Sequence, residues 1–261
     1  EELYAMLFDG SGDASKIDSV PTLSSKQENV WEKILIFGNP NNPTGRAISA
    51  TELERLAEVC RETHTWLMLD ECFQWFLDTR REGSFVGNLL NGVGDHVILL
   101  NALTKICSMA GLRLGYGIIP NAGLRERLEK FRQPWSVSAP AQAGGVAAFA
   151  VLADHSEGNL LEWTVKSLQT ERPRLAEKLE ELGFIVYPSQ TNYLLFRSPD
   201  EDSRDYKQGC LEHGILIRAC ENFDGLNRHY YRVAVRNREE NERLINILKE
   251  VQSEEKHNVN L

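Results

Sequence analysis

Three short apolar runs, each halted by polar residues, constrain this chain more than anything else in it. Lys33–Phe37 (KILIF) leads into Gly38-Asn39-Pro40-Asn41-Asn42-Pro43-Thr44-Gly45, Thr65–Leu69 (TWLML) stops on Asp70-Glu71, and Val97–Leu100 stops at Asn101. Runs of this kind fit strands buried on both faces, and amphipathic helical stretches separate them. The first stretch opens on the Ser49-x-x-Glu52 capping box and places Leu53, Leu56, Ala57 and Cys60 on one face. Strands alternating with helices imply an α/β fold with a mostly parallel sheet covered on both sides. Ligands of such sheets gather beyond the carboxyl ends of the strands, and Asn42, Asp70 and Lys105 all lie just past such ends.

The stretch Asn101–Gly117 (NALTKICSMAGLRLGYG) sets Lys105 and Arg113 among small and apolar residues. Both cations are therefore expected in a largely buried place, where a cation needs a partner. One reading is a loop whose cations snorkel to water. The other is a lysine amine held for imine chemistry, with an arginine placed to fork onto a phosphate. Leu114–Ile119 reads as a fourth strand, and the Asn39–Gly45 loop, with two X-Pro steps, as extended and rigid.

Ala139–Ala153 is small and apolar almost all round, as a buried helix is. From Gly158 a charged helical pattern runs to Leu182, with Pro173 expected to start a new helix or kink the old one. Short strands (Phe184–Tyr187, Tyr193–Phe196, Ile215–Arg218, Tyr230–Val235) and helices (about Ser203–His213 and Glu239–Glu255) complete the chain. The expected division is a large domain over 1–157 and a smaller α+β domain over 158–261.

A chain of 261 residues can bury a large core. Its net charge of −9 argues against a general nucleic-acid or anionic-membrane surface, while local arginines can still hold a small anion. No apolar run reaches the ~18 residues of a membrane span, and EELYAMLFDGSG lacks the pattern of a signal peptide. Five scattered cysteines without a C-x-x-C pair suggest free thiols in a reducing compartment, hence the cytoplasm. No histidine spacing suits zinc, so no metal is expected. Gly10, Ser11 and Gly12 suggest a turn, without the third glycine of a dinucleotide loop.

NPNNPTG, then LDE, then LTK followed eight residues later by the arginine of GLRLGY, resembles the class I/II aminotransferases of fold type I, which use pyridoxal 5′-phosphate. The resemblance covers about residues 33–255. It implies that Lys105 bonds the cofactor aldehyde and moves protons at the substrate α-carbon. It implies further that Asp70 faces the pyridinium nitrogen, Asn42 reaches the ring oxygen, and Arg113 with Thr104 holds the phosphate. Phe73 stands beside the cofactor where many members carry a tyrosine, and Ala102 where many carry a hydroxyl residue. In the second domain Arg232 looks like the substrate-anion arginine, with Arg218 and Arg236 near the same site and Asn192 as a further contact. Arg232 and Arg236 share a face if their strand continues. Three arginines would suit a small amino-acid substrate carrying both carboxylate and phosphate.

The motifs are similar to two branches, histidinol-phosphate aminotransferase and L-threonine-O-3-phosphate decarboxylase. Phe73 and the extra arginine of RVAVRNREEN lean towards the decarboxylase. The two reactions diverge in which α-carbon bond breaks, an angle the sequence does not contain. The family's N-terminal segment carries a cofactor-phosphate loop and a stacking aromatic. Residues 1–32 show neither, so a shortened large domain is expected. The resemblance also implies a homodimer. A non-catalytic ligand-binding descendant and a structural partner completed by another subunit remain as readings of other classes.

Overall fold

The computed structural model describes residues 33–77, 84–92, 94–154 and 156–258; the turn expected at Gly10–Gly12 lies outside them. Four strands, β1 (Lys33–Gly38), β2 (Thr65–Asp70), β3 (Val97–Ala102) and β4 (Gly115–Ile118), form one sheet in that order. β1, β2 and β3 run parallel, and β4 returns antiparallel to β3. The three apolar runs are thus neighbours. Their carboxyl ends share one rim, Gly38 pairing with Asp70 and Asp70 with Leu100.

α1 (Ala50–Glu62) makes the crossover from β1 to β2, and its capping box is present in full. The Ser49 N–H donates to Glu52 Oε2 at 2.7 Å, and the Glu52 N–H donates to Ser49 Oγ at 3.3 Å. Leu53, Leu56, Ala57 and Cys60 pack with Leu67, Leu69, Val97 and Leu99 in one apolar cluster. Each leucine so buried contributes about 1.5–3 kcal/mol. α2 (Val86–Leu90), α3 (Leu103–Ile106) and α4 (Ala122–Phe131) are shorter links around the same sheet.

α5 (Ala139–Leu152) corrects the expectation of a helix buried all round. Ala141, Gly145, Ala148 and Leu152 are buried, but Val146 is 75% exposed and Phe149 45%. Its two glycines serve close approaches: a Cβ on Gly145 would stand 2.5 Å from Leu114 Cδ2, and one on Gly144 2.9 Å from Leu112 Cδ1. α6 (Leu160–Glu181) is a single helix with Pro173 inside it, so the proline starts no new helix. The buried stripe Leu161, Val165, Leu168, Leu175 and Leu179 continues across that residue, and tertiary packing outweighs the missing N–H.

The second sheet is antiparallel, in the order β5 (Ile185–Val186), β6 (Tyr193–Arg197), β8 (Tyr230–Ala234), β7 (Arg218–Ala219). The strand expected at Ile215–Arg218 pairs only from Arg218 onward. α7 (Tyr206–Glu212) and α8 (Arg238–Asn258) flank this sheet. One apolar cluster runs from Phe76, Leu103, Ile106, Ala148 and Leu152 through the α6 stripe to Phe196, Tyr231 and Leu248. The core is therefore continuous across residues 157 and 158. No helix among the described residues is long and apolar enough to cross a membrane.

Candidate active site

The loop after β1 folds into a turn where an extended segment was expected, and both its X-Pro bonds, Asn39-Pro40 and Asn42-Pro43, are cis. Asn41 closes the turn: its carbonyl accepts from the Gly45 N–H at 2.7 Å, and its Oδ1 from the Thr44 hydroxyl at 2.8 Å. Gly45 has φ +72°, and a Cβ there would lie 2.1 Å from Ser189 Oγ, so this position admits glycine on two counts. The loop is stapled to the second sheet. Gly45 O accepts from the Gln190 N–H at 2.8 Å, and the Tyr193 hydroxyl donates to Asn41 O at 2.7 Å. Through the same junction the Arg232 guanidinium of β8 donates to Asn42 Oδ1.

Asp70 ends β2, and its Oδ1 accepts from the Cys72 N–H at 2.9 Å. Burial, then the adjacent Asp70 carboxylate, pushes the Cys72 thiol up to about 12, with Lys105 acting in the opposite sense. Glu71, 0% exposed, turns to the other side, accepting from the Ser84 hydroxyl at 2.6 Å and the Phe85 N–H at 2.8 Å. Burial pushes its carboxyl up to about 7, and the Asp70 charge adds to the shift.

Lys105 is exposed, which corrects the buried position expected from its apolar neighbours. α3 spends Leu103 and Ile106 on the core, and the lysine falls on the opposite side. Its Nζ lies 5.1 Å from the Phe73 ring centroid. Phe73 meets Tyr193 edge-on, centroids 5.0 Å apart, and the Arg232 guanidinium lies 4.9 Å from the Tyr193 ring. Amine, two aromatic rings and guanidinium thus form a continuous wall.

That wall lines a cavity of about 650 Å³, which also takes in Asn192, Arg218, Arg236 and Arg243. Arg232 and Arg236 both line it although β8 ends between them at Ala234. Glu240 is the one carboxylate among the described lining residues, facing Lys105 and four arginines. Arg218 donates to Asn222 Oδ1 at 2.9 Å and Arg243 to His213 O at 3.3 Å, so neither is neutralised by those contacts. A positively charged concavity of this kind concentrates anions. A second cavity, about 1180 Å³ and bounded by α5 and α6, shares Lys105, Asn192, Arg236 and Glu240 with the first.

Six of the residues singled out in the sequence (Phe73, Lys105, Asn192, Arg218, Arg232 and Arg236) line the first cavity. Asn42 reaches it through Arg232, whereas Asp70 lines neither cavity. Thr104 and Arg113 line neither cavity. Arg113 is exposed, in a left-handed conformation (φ 55°, ψ 46°), and donates to Ala110 O at 3.0 Å. Tyr193, Glu240 and Arg243 were missed. Arg243 gave no periodic signal, because Arg236, seven residues earlier, precedes α8. No group of three or more metal-ligating side chains occurs among the described residues.

A threonine-phosphate decarboxylase of Salmonella typhimurium is 35% identical over 218 residues, 83% of this chain and 57% of the relative. A histidinol-phosphate aminotransferase of Nitratidesulfovibrio vulgaris is 33% identical over 229 residues, 88% of this chain and 57% of the relative. The chain thus spans little more than half the length of these curated relatives. The crystal structure of the histidinol-phosphate aminotransferase from Clostridium acetobutylicum superposes with a TM-score of 0.75 at 29% identity, covering 85% of this chain and 64% of that one. The model of aminotransferase class I and II matches residues 15–248, and the chain belongs to that family.

Proposed function

We propose that this chain binds pyridoxal 5′-phosphate and acts on a phosphorylated amino acid, as an enzyme like L-threonine-O-3-phosphate decarboxylase. The observation that carries the reading is the cavity Lys105 shares with Arg218, Arg232 and Arg236. The residues present fit the cofactor. The Lys105 amine lines the cavity just past the end of β3, the Asp70 carboxylate ends the neighbouring β2, and the buried Asn192 Oδ1 on the cavity wall has no hydrogen-bond partner. When bound, the cofactor supplies an electron sink for the pair left as a bond to the substrate α-carbon breaks.

Lys105 Nζ would hold the cofactor aldehyde carbon and, once released, deliver a proton to the substrate α-carbon. Asp70 would keep a proton on the ring nitrogen. Asn42, its Oδ1 taken by Arg232, keeps Nδ2 as the donor to the ring oxygen. The motif assigns the cofactor phosphate to Arg113 and Thr104, which line neither cavity here, so Arg113 would have to turn from Ala110 O to hold it. Phe73 covers the site without offering a hydroxyl. Arg232 and Arg218 would orient the substrate carboxylate and Arg236 its phosphate. By how they hold the carboxylate, Arg232 and Arg218 would set which bond to the α-carbon is presented for cleavage. The second reading, an aminotransferase of histidinol phosphate, draws on the same arginines and on the similarity described above.

Val146, Phe149 and Trp163, exposed on α5 and α6, support a homodimer closing over these faces. The five unbridged cysteines support a cytoplasmic setting. The cofactor-loaded chain is expected to release carbon dioxide from L-threonine O-3-phosphate, leaving aminopropanol phosphate, without a 2-oxo acid. Strict dependence on an oxo acid would establish the aminotransferase instead. Ligand binding with neither reaction would make the chain a non-catalytic member of its family.

A further inference from the structure

We propose that Glu240 is a built-in competitor for the anion-binding guanidinium of Arg236. It holds that guanidinium when no ligand is present and takes it back as the product's phosphate leaves. The inference rests on the reading that Arg236 receives the ligand's distal anion, and extends it to how that anion is released.

Arg236 sits between β8 and α8 on a main chain fixed from both sides. Its N–H donates to Asn241 Oδ1 at 2.9 Å and its carbonyl accepts from Asn241 Nδ2 at 2.8 Å, so one amide side chain mimics a peptide partner. Asn241 is 1% exposed and also donates to Glu171 Oε2 at 3.1 Å. Arg174 at 2.8 Å and Arg238 at 3.0 Å fix that carboxylate in turn. Just before Arg236, the Val235 N–H donates to Asn192 O at 2.8 Å. The main chain at Arg236 is hydrogen-bonded on both sides. Freedom remains in its side chain alone.

The guanidinium is engaged by Glu240, four residues on. Nε lies 3.3 Å from each carboxylate oxygen and Nη2 lies 2.8 Å from Oε1. This two-nitrogen approach is the one a phosphate or carboxylate ligand would make. Both side chains line both cavities. The pair is well exposed, 62% for Arg236 and 45% for Glu240, against 19% and 12% for the Arg174–Glu171 pair that anchors the main chain. Exposed pairs are weak and exchange readily. The turn is thus held by one pair on α6 built to stay, and carries one pair of its own built to open.

The test is calorimetric titration of the full chain with inorganic phosphate at low ionic strength. Glu240→Gln is expected to tighten phosphate binding about two- to fivefold, the range an exposed ion pair spans. Arg236→Gln should weaken it about tenfold. Adding Glu240→Gln to Arg236→Gln should gain nothing further. Glu239→Gln, one residue earlier and outside both linings, should leave the affinity unchanged. Equal tightening by Glu239→Gln, or none by Glu240→Gln while Arg236→Gln still weakens binding, overturns the competitor and leaves the Arg236 assignment standing. No effect of Arg236→Gln, or no phosphate binding by the parent, overturns the assignment beneath it.

Discussion

Glu71 should make the stability of this protein fall as pH rises through neutrality. The carboxyl is 0% exposed at the end of β2, and burial pushes it up to about 7 from an ordinary 4.5. Because the folded value lies above the unfolded one, the fold favours the protonated acid. Its contribution is complete below pH 4.5 and is lost as pH rises through 7. A difference of about 2.5 pH units at 1.36 kcal/mol each corresponds to about 3 kcal/mol between pH 4.5 and pH 7. Glu71→Gln isolates this effect. The amide oxygen can accept from the Phe85 N–H, and the Ser84 hydroxyl can rotate to accept from the amide nitrogen, so both contacts survive without a charge. Urea denaturation from pH 4.5 to 8 should show the parent losing about 3 kcal/mol relative to Glu71→Gln. Parallel stability profiles for the two proteins would refute the reasoning.

Replacing Arg232 by Ala removes the guanidinium joining Asn42 to the cavity, and should raise KM for an anionic amino-acid substrate about ten- to a hundredfold in steady-state assays. Leu175→Ala, at a fully buried site just past Pro173, should cost about 2–5 kcal/mol in a denaturant titration, since the helix on both sides limits collapse of the void. Gly45→Ala should destabilise by about 1 kcal/mol or more, because of its positive φ and because Ser189 must move; an unchanged melting temperature would show that the loop yields.

Much of the architecture was legible from local signals. The apolar runs ending at Phe37, Leu69 and Leu100 became adjacent parallel strands, and the Ser49–Glu52 box began a helix as written. Such features depend on a residue and its near neighbours. The misreadings depend on what packs across the chain. Ala139–Leu152 is apolar almost all round, yet periodicity cannot say which faces are covered, and Val146 is exposed. Lys105 seemed buried because its sequence neighbours are apolar, but those neighbours occupy the core on its behalf. Pro173 reads as a breaker until the leucines on both sides are seen packed into one cluster. At the site, Arg232 and Arg236 were recognisable through their motif. Glu240 and Arg243 were not, because RNREENER reads as the solvated first turns of a helix. Only the fold shows that those turns form a cavity wall.

Covalent capture of the cofactor tests the central claim most directly. Pyridoxal 5′-phosphate added to the purified chain and reduced with borohydride should leave a single modified peptide, with the pyridoxyl group on Lys105. Attachment at another lysine, or no attachment at all, would contradict the account.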